Sequence, residues 1–330
     1  MSAAEGSARG AVAPDDPTDL KKSSWRATLK RTVKEFQNDN LTDWAAALTY
    51  YAVLAIFPAL IALISILGLV GDSATQALLD NLTKLTPGTA NQVITDAIEN
   101  ITSSESAAGL GLVLGIAGAL FSASGYVGGF SRASNAIYEV EEGRPFWKLR
   151  PIQIAITTVM ITLLAICALA IVVTGPVAEQ VGNLVGAGDA AVAAWDIAKW
   201  PVIALVVTTL VAILYWAAPN VKQPAFKWIT PGGILAVVLW VLASALFAFY
   251  VASFSSYNAT YGSIAGVIVF LVWLWITNLA ILLGAELNAE LERSRELEAG
   301  VPPEQTIALT PRDPADGDKQ PHERSEPERS

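Results

Sequence analysis

The sequence predicts an all-α membrane protein, a polytopic bundle of about six transmembrane helices with amphipathic helices in its outer loops. Three observations predict it. Of 330 residues, 53% are hydrophobic and only 15% charged, against roughly 25% charged in an average soluble domain. The charges are segregated: Asp, Glu, Lys and Arg crowd into residues 1–43 and 286–330, and none lies between Trp228 and Ala285. Six apolar stretches are long enough to cross a bilayer, which takes about 20 residues of helix.

Residues 1–22 are rich in Pro, Ala, Ser and charge, too poor in apolar surface to offset ordering entropy, and read as a disordered tail. Over 23–42, Trp25, Leu29, Val33 and Phe36 recur at helical spacing opposite Arg26, Lys30, Arg31 and Lys34. That pattern predicts an amphipathic helix in the membrane interface, with its cations toward anionic headgroups. A nucleic-acid patch would carry similar charge, but this cluster directly precedes a span, which favours lipid. The first 40 residues are polar, unlike a cleavable signal peptide, so the first span is expected to serve as an uncleaved insertion signal.

The membrane domain then covers 43–292, with spans at about 44–70, 107–130, 151–175, 200–218, 229–251 and 261–284. Their ends carry suitable punctuation: Gly175-Pro176 stops the third, Pro219 follows the fourth and Thr230-Pro231 starts the fifth. The second is glycine-rich, and Gly111/Gly115 and Gly125/Gly129 have the spacing that lets helix backbones approach closely, so it is read as a helix packed inside the bundle. In the outer loop 72–106, Asp72 or Ser73 can cap a short amphipathic helix and Thr86-Pro87 can open a second. A similar pair is expected over Pro176–Val185 and Asp189–Trp200. Such helices would pack on the spans or lipid, or cap an apolar cavity. Residues 293–330 form a second, mostly disordered tail; before it, Glu286, Glu290, Arg293 and Arg295 read as a solvated continuation of the last helix.

Lys and Arg set the orientation. Nineteen of the 21 fall on the N-terminal side of the predicted bilayer, leaving only Lys84 and Lys199 outside beside eight acidic residues. By the positive-inside rule both termini are cytoplasmic.

Little in the chain points to catalysis. One cysteine (Cys167) and one histidine (His322) exclude a disulfide framework and Cys/His metal sites, and no phosphate-binding loop or nucleophile motif occurs. No enzyme, metal or cofactor is therefore predicted. The spans hold no ionisable group; Asp43 and Glu286 sit at membrane boundaries, where they can stay hydrated. The remaining polar candidates are Tyr50 and Tyr51 beside Thr49, ahead of the helix-breaking Pro58, with Asn135 and Asn278. Each either bonds helix to helix or lines a cavity.

A family resemblance rests on these residues. The stretch from Trp44 through Thr49-Tyr50-Tyr51 to Pro58 resembles the opening signature of the YihY/BrkB membrane-protein family, once labelled ribonuclease BN. Ser134-Asn135 to Tyr138 with Arg144-Pro145, Leu214 to Pro219, Pro231-Gly232-Gly233, Trp240, Tyr261-Gly262-Ser263, Trp273 and Leu283 to Glu290 resemble its later signatures in order, over about residues 25–292. The resemblance implies an integral bacterial inner-membrane protein and assigns no reaction; a nuclease would need wetted acid–base or metal-binding groups, which this sequence lacks. Two functions are consistent with it: a transporter or flippase-like protein for a lipid or amphiphilic substrate, and a non-transporting scaffold or envelope-assembly factor. The expected partners are membrane lipids, with a further copy of the chain or an envelope protein, and no nucleic acid.

Overall fold

A computed structural model describes residues 20–70, 110–172, 189–223, 226–253, 263–300 and 309–315. These residues form seven helices: α1 (Lys22–Asn38), α2 (Leu41–Val70), α3 (Leu110–Ile137), α4 (Phe146–Val172), α5 (Asp189–Ala217), α6 (Pro231–Ser253) and α7 (Ser263–Glu298). Among the described residues the one β pairing is an isolated bridge between Val221 and Pro311. Helices α2 to α7 fall on the six predicted spans. Among the described residues, α4, α5, α6 and α7 are long and apolar enough to cross a membrane. In α7 the apolar stretch precedes the charges that begin at Glu286. The expected helices of loop 72–106 and of Pro176–Val185 lie outside the described residues.

One expectation about helix ends is corrected. The separate outer helix over Asp189–Trp200 is instead the first part of α5, which continues through Pro201. Helix α2 runs through Pro58, inside the predicted span 44–70. Each proline forfeits one helical hydrogen bond, but in hydrocarbon the neighbouring backbone groups have no better partners than the helix itself.

The chain divides into two units. The first comprises Met1–Thr49, Gly129–Leu149 and Tyr215–Ser330. Its α6–α7 pair meets through glycine: a Cβ added at Gly232 would strike the Gly284 carbonyl, and one at Gly284 would strike the Gly232 carbonyl and the Tyr215 hydroxyl. The Tyr215 hydroxyl donates to the Ile281 carbonyl at 2.5 Å. Thr230 caps α6 by accepting from Gly233 N at 3.0 Å, while Asn288 Oδ1 accepts from Gly232 N at 2.9 Å. The outer face of α6 keeps Val238, Leu242, Leu246 and Phe249 exposed, an apolar stripe that water would penalise and hydrocarbon would cover.

In the same unit α1 lies on α7; Trp25 packs with Leu20 against Leu287 and Leu291, and the rest of its inward face is polar. Thr28 Oγ1 and Ser294 Oγ are 2.6 Å apart, and Arg31 Nε donates to Glu290 Oε2 at 2.5 Å. Arg31, expected among the outward cations, is therefore turned inward because a buried carboxylate awaits it. Leu29 and Val33 are 50% and 66% exposed, an apolar face left uncovered among the described residues.

The second unit comprises Tyr50–Gly128 and Arg150–Leu214. Ala119, Ala123 and Ile161 pack together, with Ala55 and Leu120 against them. The Arg150 guanidinium lies 4.7 Å from the Phe121 ring centroid, with Nη1 donating to Ser124 Oγ at 3.2 Å. Thr157, Thr158, Thr208 and Thr209 donate to carbonyls four residues back, so these hydroxyls sit in apolar helices without an unmet donor.

Candidate functional site at the charged end of the last helix

Past its apolar stretch, α7 carries Glu286, Glu290, Arg293 and Ser294 at intervals of three and four residues, one face of a helix. That face is buried, not solvated as the sequence suggested: Glu286 is 1% exposed and Glu290 3%. It is covered by α1 and by the turn between α1 and α2, where Asn40 adopts φ 52°, a left-handed conformation that asparagine tolerates. This turn carries Asp39.

The two acids fare differently. Glu290 is paired with Arg31 at 2.5 Å and with Arg293 at 3.4 Å. Glu286 Oε2 is buried without a hydrogen-bond partner among the described residues. Its neighbour is the Asp39 carboxyl, in hydrogen-bonding reach. Burial raises the Glu286 carboxyl far above the ordinary carboxylate range, and the negative charges of Asp39 and Glu290 push it the same way. Burial also raises Asp39, where Glu35 and Glu139 add to the shift, while the hydrogen bond from Glu286 and the Arg293 charge oppose it. Together these causes favour the protonated form of Glu286 beside Asp39. Arg293 is held by Glu139 at 2.7 Å. Chemically, the cluster can bind and release a proton at a buried position just beyond an uncharged helix.

A second polar cluster closes the end of α5. A helix leaves its last carbonyls without partners, and here side chains supply them. Gln223 Nε2 donates to Tyr215 O at 2.6 Å, and Arg144 Nη2 donates to Ala218 O at 2.9 Å. Arg144 is 5% exposed, also donating to Ser131 Oγ at 3.0 Å and to both oxygens of Glu142 at 2.7 Å. Burial would raise the Glu142 carboxyl, but the hydrogen bonds and charge of Arg144 prevail and hold it below the usual range.

The residues singled out from the sequence fall in different places. Asn278 is 2% exposed and its Nδ2 donates to Thr49 Oγ1 at 3.1 Å, joining α7 to α2. Asn135 is buried where α3 ends; its Oδ1 accepts from Asn220 N at 2.7 Å and its Nδ2 donates to Glu142 at 3.0 Å. Both asparagines thus bond segment to segment. Tyr50 and Tyr51 belong to the other unit, as an edge-to-face pair 5.7 Å apart, with Tyr50 62% exposed. Asp43 is exposed in the first turn of α2. A Cβ added at Gly125 meets nothing within 4 Å, whereas Gly128 abuts the Gln153 amide. The surroundings of Gly111 and Gly115 lie outside the described residues. Asp39 and Asn220 carry no signal in the sequence, while Glu290, read there as solvated, and Arg144, read there only as part of a family-like stretch, belong to buried clusters; the spacing of Glu286, Glu290 and Arg293 is the available signal. Among the described residues no group of three or more His, Cys, Asp or Glu could hold a metal ion.

Comparison with known proteins agrees with this architecture. Residues 32–307 match the family model described as virulence factor BrkB. The ribonuclease-like protein YfkH of Bacillus subtilis is 33% identical over 253 residues, covering 77% of this chain and 90% of YfkH. UPF0761 membrane proteins of Halorhodospira halophila and Mannheimia succiniciproducens are 29% and 27% identical. Each covers 80% of this chain, over 56% and 89% of their own lengths respectively. No solved structure matches the chain.

Proposed function

We propose, from the premise that this chain belongs to the virulence factor BrkB family of membrane proteins, that it moves a lipid or amphiphilic substrate across a bacterial plasma membrane. In this reading the chain crosses six times with both termini in the cytoplasm, uses no cofactor and performs no covalent chemistry. Its first partners are the membrane lipids, and nucleic acid has no part in it. Burial of Glu286 beside Asp39 supports it most directly. The described apolar helices offer an amphiphile surfaces without charge, and buried Glu286 of α7 with half-buried Asp39 supplies an element through which proton exchange can be coupled to movement. The hydrogen-bonded Asn278–Thr49 pair and the Gly232–Gly284 approach bind the helices around that element.

Reconstitution tests this. Purified protein in liposomes should accelerate movement of labelled phospholipid between leaflets, and Glu286→Gln should remove the pH dependence of that rate. No acceleration over empty liposomes across several lipid classes would sink the proposal. Acceleration independent of pH would retain the substrate class and discard the coupling.

One observation favours a second reading, a scaffold or envelope-assembly factor with a further copy or an envelope protein as partner. The exposed Leu29 and Val33 of α1, flanked by Arg26, Lys30 and Lys34, form a docking face. Crosslinking from position 29 in intact cells should then capture one reproducible protein; recovery of lipid alone ends that reading. The name of YfkH speaks of a ribonuclease, and RNA cleavage by purified chain free of soluble nucleases would overturn both.

A further inference from the structure

The segment 309–315 was read as part of a disordered tail, yet it is docked on the first unit. Its backbone pairs with residues 220–222. Lys222 N donates to Thr310 O at 2.8 Å and Arg312 N donates to Asn220 O at 2.9 Å, flanking the Val221–Pro311 bridge. In an antiparallel pair this leaves Val221 and Pro311 opposite one another at the position that exchanges no hydrogen bonds. Proline fits there, since it has no N–H to give. Asn220 then holds the main chain of Asp313 on both sides with its amide: Oδ1 accepts from Asp313 N at 3.1 Å and Nδ2 donates to Asp313 O at 2.8 Å.

Side chains add selectivity. The Arg312 guanidinium donates to Val221 O at 2.7 Å and to Trp216 O at 2.6 Å, and lies 5.4 Å from the Trp216 ring centroid. It thereby caps a carbonyl at the C-terminal end of α5, where a helix favours positive charge. Gly143 makes room for the peptide, since a Cβ there would strike the Asp313 and Pro314 backbone. Residues 309–315 also lie beyond the 32–307 stretch matched by the family model.

We infer that the surface formed by Gly143, Trp216, Asn220 and Val221 is a peptide-recognition site for an extended Thr-Pro-Arg-Asp sequence, occupied within the same chain by Thr310–Asp313. Strand addition supplies affinity through the backbone and Arg312 supplies specificity. Because the occupant is tethered, its effective concentration is on the order of millimolar, enough to exclude a free peptide of micromolar affinity.

The test uses full-length chain and a labelled peptide of residues 309–315, read by fluorescence anisotropy. The Arg312→Glu chain, which releases its own segment, should bind wild-type peptide with a dissociation constant on the order of 10–100 µM. Wild-type chain should bind it about tenfold more weakly or worse. The Arg312→Glu peptide should bind neither chain, and adding Gly143→Ala to the Arg312→Glu chain should abolish binding. Equal binding to both chains overturns the inference, as does no binding to an Arg312→Glu chain of unchanged helicity. A second measurement needs no peptide. With Val221→Cys and Pro311→Cys in a Cys167→Ser background, oxidation should form a disulfide within one chain. No disulfide, or one only between two chains, overturns occupancy by the chain's own segment.

Discussion

Replacing Gly284 with alanine tests how α6 and α7 are held together. The added Cβ would meet the Gly232 carbonyl, the Tyr215 hydroxyl and Ala236 Cβ at 2.8 Å. The first is backbone, which cannot rotate away, so the helices must separate. Overpacking of this kind costs about 1–3 kcal/mol. Separation also strains two hydrogen bonds, Gly232 N to Asn288 at 2.9 Å and Tyr215 to Ile281 at 2.5 Å, each contributing about 1 kcal/mol. Against this, alanine regains about 1 kcal/mol of helix propensity. The expected net loss is about 2–4 kcal/mol. Titration with sodium dodecyl sulfate in mixed micelles, followed by circular dichroism, measures it. Gly266→Ala in the same helix is the control, because a Cβ there meets nothing within 4 Å. It should match or exceed wild-type stability. If the two variants lose the same amount, the close approach at Gly232 and Gly284 does not hold the pair.

Other perturbations follow from the polar clusters. Because burial raises Glu286, the folded state retains a proton that the unfolded chain has lost, so stability should fall as pH rises above the ordinary carboxylate range. Between about pH 5 and about pH 8, wild type should lose stability relative to Glu286→Gln with a slope of at most about 1.4 kcal/mol per pH unit; parallel profiles from the same titration would remove the buried proton. Arg144→Met removes the guanidinium's bonds to Glu142, Ser131 and the Ala218 carbonyl, leaves Glu142 with only the Asn135 amide, and should cost about 2–3 kcal/mol, while Lys148→Met, at an exposed ion pair, should cost under about 1 kcal/mol. A double-mutant cycle of Thr49→Val and Asn278→Leu should give a coupling of about 0.6–1.7 kcal/mol; additive losses would mean that their 3.1 Å bond carries nothing.

Hydropathy located the helices well because crossing a bilayer is a local demand on composition. The predicted span 229–251 and the helix Pro231–Ser253 differ by two residues at each end. The boundary near Trp200 was misplaced, since the helix runs on from Asp189 through Pro201. Glycine spacing permits close approach, but a close approach also needs a partner backbone. Gly125 has GxxxG spacing and open space around it, while Gly232 and Gly284, far apart in sequence, face one another.

By itself the sequence determined that this is a helical membrane protein and that Asn278 must find a partner, since apolar runs and buried amides obey rules that act within one segment. Only the tertiary structure decided that Glu286 is buried beside Asp39, that Arg31 turns inward to Glu290, and that residues 309–315 dock on Asn220 and Val221. Each of these depends on groups brought together from distant parts of the chain. Whether a charge is hydrated, paired or stranded is set by what packs over it, and one helix's periodicity does not encode that.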